Sequence, residues 1–309
     1  MLRNHKLNMK YAISIILISI ILTSCSASYE KLKKINASNP NSYAEHLFKE
    51  YKDKAIFEAE MMHDWNSAKL YSEKALLAKN GVEIFPQEIV YWNLPTEHIN
   101  EIKKGYENLM SVYSEAKEID HYNLAVAISS LDCWSEQQEE NWQIWDINNC
   151  RDDFLNSLHQ IYEKITIKKS KDTLSLASED NLLALNNNES VTLVTKNNNK
   201  EIMQIIYFDF DDSRLSNVSI NTLKNFLNRN RKLIQKYIII GHTDTKGSKS
   251  YNKKLSLKRA EAVKIILKNE GIKEEYINVL GKGEESPAIS TPDDFKHPAN
   301  RRAEIKIIN

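Results

Sequence analysis

Between Ser42 and Glu163 apolar residues return every three or four positions and glycine is scarce. That period belongs to helices that bury one face. Tyr43, Leu47, Tyr51 and Ala55 mark a first helix. Trp65, Ala68, Tyr71, Ala75 and Leu76 form the stripe of a second, behind Asp64, whose side chain suits an N-cap. Gly81, Pro86 and Pro95 then break the pattern into a loop. A third helix is predicted near Glu97 to Lys117, a fourth behind Asp120 and a fifth over Arg151 to Lys164. No period of about 34 residues is visible, so the segment reads as an array of helical hairpins without repeats.

From Ile165 to Lys200 the pattern lapses, and Ser, Asn and Lys dominate. Such a stretch reads as a mobile linker, although Ser190 to Thr195 also fits a short strand. Beyond it the period changes. Ile205 to Phe210 reads as a strand and Leu215 to Asn228 as an amphipathic helix. Tyr237 to Gly241 carries no charge, the mark of a central strand. Lys249 to Asn269 is predicted helical, with Gly271 as its stop. Ile277 to Leu280 and Ala303 to Ile308 complete a βαβαββ order, an α+β sandwich with helices on one face.

At the other end, Arg3, Lys6 and Lys10 precede a charge-free run from Tyr11 to Leu22. The run is short for a membrane span of about 20 apolar residues and fits the apolar core of a secretory signal. Leu22-Thr23-Ser24-Cys25 follows, and a small residue just before Cys resembles the lipobox of bacterial lipoproteins. That resemblance implies cleavage before Cys25 and lipidation of its thiol. Ser26 in place of Asp implies the outer membrane as the destination. The expected segments are a signal peptide over 1–24, a mature tether over 25–41, a helical domain over 42–164, a linker over 165–200 and the sandwich over 201–309.

Composition removes several functional classes. Lys plus Arg and Asp plus Glu both number 42, so the formal charge is zero and nothing points to nucleic acid. With Cys25 assigned to lipid, Cys133 and Cys150 remain as an even pair in an exported chain, where disulfides persist, and they are expected to bond. Trp134, Trp142 and Trp145 stand nearby. They are expected to pack in the helical core, with a partner-binding surface as the competing use. Glu60-x-x-His63 and Glu118-x-x-His121 resemble halves of a di-metal bundle site. Asp64 and Asp120, read as caps, place both histidines at helix ends, so no metal or cofactor is expected. No nucleophile-elbow, zinc-protease or phosphate-loop pattern occurs. His242 lacks a nucleophile beside it and reads as a strand-end histidine held by a hydrogen bond. The chain is expected to be a non-enzyme.

Arg259 carries the remaining chemistry. Its helical neighbours Leu255, Ser256, Ala262 and Val263 include no acid, so no local ion pair is available. Leu255, Ala262, Val263 and Ile266 form the apolar stripe, and Arg259 borders it. A guanidinium there needs an anion from elsewhere. Asp244, at the end of the preceding strand, is one candidate, and a ligand carboxylate is another. Asn252 lies two turns earlier on the same side. Spacing leaves a ligand pocket and a structural Asp244–Arg259 bridge equally open.

Residues from about 203 onward closely resemble the OmpA-like C-terminal domain, found also in peptidoglycan-associated lipoproteins. The matching pieces are Tyr207-Phe208-Asp209, Gly241-His242-Thr243-Asp244, Gly247, Tyr251-Asn252, Leu255-Ser256, Arg259-Ala260, Gly281-x-Gly283-Glu284, Pro287 and Asn300-Arg301-Arg302. The resemblance implies non-covalent binding of the diaminopimelate in peptidoglycan stem peptides. Asp244 would meet the ligand ammonium and Arg259 its carboxylate. Phe208, Asp209, Asn252 and Leu255 would line the site, with a further contact from Arg302. Asp293 to Pro298 departs from the family's usual pattern. The helical part is more weakly similar to N-terminal modules of alphaproteobacterial OmpA-like lipoproteins, through Met61 to Trp65 and Asp132 to Glu140. Two roles follow as expectations: a lipid-anchored tether between outer membrane and wall, facing the periplasm, or an adaptor whose helical module recruits a periplasmic protein.

Overall fold

A computed structural model describes residues 27–36, 39–184, 202–230 and 236–308. The signal segment, Cys25 and the short strand at Ser190 to Thr195 lie outside these residues. Helix α1 covers residues 27–33. It is followed by α2 (Tyr43–Phe57), α3 (Trp65–Lys79), α4 (Thr96–Ile119), α5 (His121–Glu140) and α6 (Ile144–Ala184). The C-terminal part runs β1 (Ile202–Tyr207), α7 (Asn217–Asn230), β2 (Lys236–Gly241), α8 (Lys249–Asn269), β3 (Ile277–Gly281) and β4 (Arg302–Ile308).

The chain folds as two compact units. One joins residues through Ile102 to Asp120–Phe154, and the other joins Lys103–Ile119 to Leu155 and all that follows. This differs from the expected boundaries, because the later parts of α4 and α6 belong with the sandwich. Helix α6 also continues to Ala184, so the first half of the expected linker is helical. The reason lies in the sequence. No Gly or Pro interrupts residues 144–184, and Lys168 and Lys169 pair with Glu118 and Glu115 of α4.

In the first unit the caps act as the sequence suggests. Asp64 accepts from the amides of Asn66 and Ser67, and Asp120 accepts from that of Asn123. The interior turns on Asp132, which is 1% exposed. Its carboxylate accepts from the Tyr51 hydroxyl at 2.6 Å, the Gln87 amide at 2.6 Å and the Lys74 ammonium. One buried anion thereby joins α2, α3, α5 and the loop after α3. Removing one partner of such a group typically costs about 3–5 kcal/mol. Cys133 and Cys150 are bonded, with Cα atoms 5.6 Å apart, and the link holds α5 to α6. Trp134 packs on Phe154 with ring centroids 5.9 Å apart. Trp142 and Trp145 depart from the core expectation, being 69% and 56% exposed. Asn141 ends α5 in the left-handed region at φ 53°, and the corner that follows carries Trp142 outward to Glu140.

A π-helical turn, Glu58–Met62, separates α2 from α3. It brings carboxylate oxygens of Glu58, Asp64 and Glu136 within 4.8 Å of one another. Burial, then the charges of Glu136 and Asp64, push Glu58 up to about 8. Burial also lifts Glu136 to about 7, against a hydrogen bond from Ser67. Protons therefore hold this group together near neutral pH.

In the second unit the sheet order is β1-β4-β2-β3. β4 pairs antiparallel with β1 and β2, and β2 pairs parallel with β3. Strand β2, free of charge from Tyr237 to Gly241, is interior, as that composition predicts. Leu223, Phe226 and Leu227 of α7 and Ala260, Val263 and Leu267 of α8 bury Ile206, Ile239 and Ile305 on one face. Tyr207, the alternate residue of β1, turns the other way and meets His159 and Tyr162 of α6 at 5.3 and 5.2 Å. Helix α8 lies so near β2 that a β-carbon on Gly241 would stand 1.9 Å from the Ser256 carbonyl oxygen.

Two outcomes follow. Gly241→Ala must force α8 from the sheet, and urea unfolding should show a loss of about 3 kcal/mol or more; a variant as stable as the wild type would contradict the close approach. For Glu58, the folded value lies above the unfolded one, so its contribution is full below the ordinary carboxylate value and is lost as pH rises through about 8. Glu58→Gln should be near neutral at about pH 5 and increasingly stabilising towards about pH 8, by at most about 1.4 kcal/mol per pH unit. Urea titrations across that range measure the difference.

Candidate functional site

The site forms where three chain segments converge at the ends of β1, β2 and β4. The loop after β1 brings Phe208 and Asp209, the loop after β2 brings Asp244, and the turn before β4 brings Arg301. Helix α8 supplies Arg259 from beneath. Its N-cap is Ser248, which accepts from the Tyr251 amide, and this fixes the helical phase that points Arg259 inward.

Arg259 is 0% exposed. Its guanidinium donates to three main-chain carbonyls: Asp212 at 2.8 Å, His242 at 2.8 Å and Asp209 at 3.0 Å. The Phe208 ring lies 5.3 Å from the guanidinium carbon, a favourable cation–π distance. Asp244 does not bond to Arg259. Its carboxylate, 3% exposed, instead accepts from Arg301 at 3.2 Å. Arg301 also donates to the Phe208 carbonyl at 3.3 Å and to the Asn108 side chain at 2.8 Å. The bridge expected between Asp244 and Arg259 is thus replaced by a three-membered arrangement, two guanidiniums with one carboxylate near both. Burial, then repulsion from Arg301, push Arg259 down to about 10, with Asp244, Asp212 and Asp211 opposing.

The other expected residues divide. Phe208 and Asp209 lie with this group, Asp209 through its carbonyl, and Leu255 is buried on α8 one turn before Arg259. Asn252 is buried but donates to Glu284 at 2.6 Å and to the Lys246 carbonyl at 3.2 Å, which ties α8 to the Gly283 turn. Arg302 stands on β4 and donates to Glu304 at 2.6 Å and to the Ser286 carbonyl at 3.3 Å. The neighbouring Arg301 takes the place beside Asp244 that Arg302 was expected to share. The signal that separates them is register. Arg302 pairs with Tyr207 inside the sheet, whereas Arg301 precedes the strand and turns into the loops.

His242 is buried, and neither ring nitrogen has a hydrogen-bond partner. Glu304 stands 3.6 Å away, so the expected hydrogen bond is not formed. Burial, then the charge of Arg302, push its imidazole down to about 4, and it is neutral at physiological pH. The two Glu-x-x-His pairs are used otherwise. Glu60 accepts from Tyr29 and Lys33, Glu118 meets Lys168, His63 follows the π turn in the left-handed region, and His121 opens α5.

Residues 207–301 match the model of the OmpA family. The chain is 31% identical over 153 residues to a peptidoglycan-associated lipoprotein of Buchnera aphidicola, covering 48% of this chain and 80% of that protein. It is 36% identical over 105 residues to a peptidoglycan-associated lipoprotein of Legionella pneumophila, covering 33% of this chain and 58% of that one. Among solved structures, the peptidoglycan-associated lipoprotein of Burkholderia pseudomallei is similar at 29% identity and a TM-score of 0.30, over 34% of this chain and 89% of that one. The matched residues contain Asp244, Arg259 and Arg301, and the chain belongs to the OmpA family.

Proposed function

We propose that the sandwich binds peptidoglycan non-covalently, through the diaminopimelate of its stem peptides, and that Cys25, lipidated, holds the chain in the outer membrane. The protein then tethers the envelope to the wall from the periplasmic side. One observation carries this reading: two buried guanidiniums stand at one buried carboxylate, Asp244, which pairs with Arg301 while Arg259 is met by main-chain carbonyls. The buried set keeps one positive charge in excess, and a ligand carboxylate would balance it through parallel N–H bonds. Asp244 would remain an acceptor for the ligand ammonium. The names of the Buchnera and Legionella relatives agree with such a role. The site offers charges and walls and no nucleophile paired with a base, so it binds without reaction.

A second reading rests on Trp142 and Trp145. Exposed tryptophans are costly in water and frequent where partners dock. On this reading the helical module recruits a periplasmic protein while the sandwich positions it at the wall.

Pelleting with purified sacculi tests the first reading. The wild-type chain should sediment, and Asp244→Ala with Arg259→Ala should stay in the supernatant with an unchanged circular dichroism spectrum. Sedimentation of the folded double variant would refute the site. For the second, affinity purification of the full chain from envelopes should yield a partner that Trp142→Ser with Trp145→Ser no longer retains. Identical yields from both would remove the adaptor role.

A further inference from the structure

The site just described is closed. Asp244, Arg259 and Arg301 are all at least nine-tenths buried, and what closes the Arg301 side belongs to the same compact unit, namely residues 103–119 of α4 and those from Leu155 on in α6. Two sets of contacts hold this pair of segments down. Asn108 accepts from Arg301 at 2.8 Å. His159 and Tyr162 stack about Tyr207. The space left between Asn108, Leu158 and Tyr162 on one side and Phe208 and Asp209 on the other is about 30 Å³. That is room for a water or two, far below what a diaminopimelate side chain needs.

We propose that residues 103–119 together with α6 from Leu155 form a built-in cover for the wall site, and that the Asn108 amide stands where a ligand carboxylate would bind Arg301. The inference rests on the reading that this site takes diaminopimelate. Binding then requires the cover to leave. A ligand carboxylate brings a full charge to Arg301 where Asn108 brings a neutral dipole, and a charged acceptor makes the stronger bond. Apparent affinity falls by the fraction of time the site is open, so the helical segments set how readily the chain holds the wall. Any event that draws α4 or α6 away would strengthen the tether.

The variant Asn108→Arg places a second guanidinium against Arg301 and should loosen the cover. Calorimetry on the full chain with the tripeptide L-Ala–D-Glu–meso-diaminopimelate should then show binding tighter than wild type, by about tenfold if the site is open roughly one-tenth of the time. Adding Asp244→Ala to Asn108→Arg should abolish it. Equal affinity of wild type and Asn108→Arg, with loss on adding Asp244→Ala, would overturn the cover and leave the wall site standing. No binding by any form would overturn both. Hydrogen exchange on the wild-type protein gives a readout independent of the variant's fold. With tripeptide bound, amides in 103–119 should exchange faster, and slower exchange there would also overturn the cover.

Discussion

A guanidinium that cannot reach water dictates the architecture of the C-terminal site. Arg259 is fixed by the phase of α8, and its burial is tolerable only because three carbonyls point at it. Those carbonyls come from the loops after β1 and β2, so the two loops cannot drift independently. Each loop also carries a residue of the site: Phe208 stacks on the same guanidinium, and Asp244 follows His242 by two positions. The main chain satisfies Arg259, which leaves Asp244 for Arg301. Had Asp244 bonded to Arg259, the pair would have been neutral and the turn before β4 would have had no anchor. The surplus charge on which the proposed function depends is a consequence of that division.

The first unit solves the same problem with the opposite sign. Asp132 is a buried anion whose donors come from three separate segments. Its hydrogen bonds fix how α2, α3 and α5 meet, where apolar packing alone would tolerate some sliding. In both units, then, one fully desolvated charge selects a single arrangement from several that hydrophobic burial would permit. The carboxyl group at Glu58 follows another rule, since the carboxylates of Glu136 and Asp64 stand beside it and protonation replaces pairing.

Much of the sandwich was legible in the sequence because its signals are local. Strands β2 and β3, helix α8 and its stop follow from period, charge and glycine placement, and the caps at Asp64 and Asp120 from a single side chain each. The pairing inside the site was not legible in this way. Asp244 and Arg301 are separated by 57 positions, and nothing near either residue reveals which arginine of Asn300-Arg301-Arg302 turns inward. Strand register decides it, and register is a property of the assembled sheet. The length of α6 departs from its sequence pattern for a related reason. Residues beyond Ile165 look unable to build a core, yet the first of them, Lys168 and Lys169, find ion-pair partners on α4. Trp142 and Trp145 show the converse, large apolar side chains left outside by a corner whose geometry Asn141 imposes.

The bond between Cys133 and Cys150 has a bearing on where this fold matures. It closes a short loop at the corner of α5 and α6, and a loop of that size contributes about 3 kcal/mol in the chain-entropy picture. In a reducing cytosol the thiols stay separate and the corner relies on packing alone. A newly made chain is therefore looser at this corner until oxidants reach it. Once the staple sets, α5 and α6 can no longer part there without breaking a covalent bond.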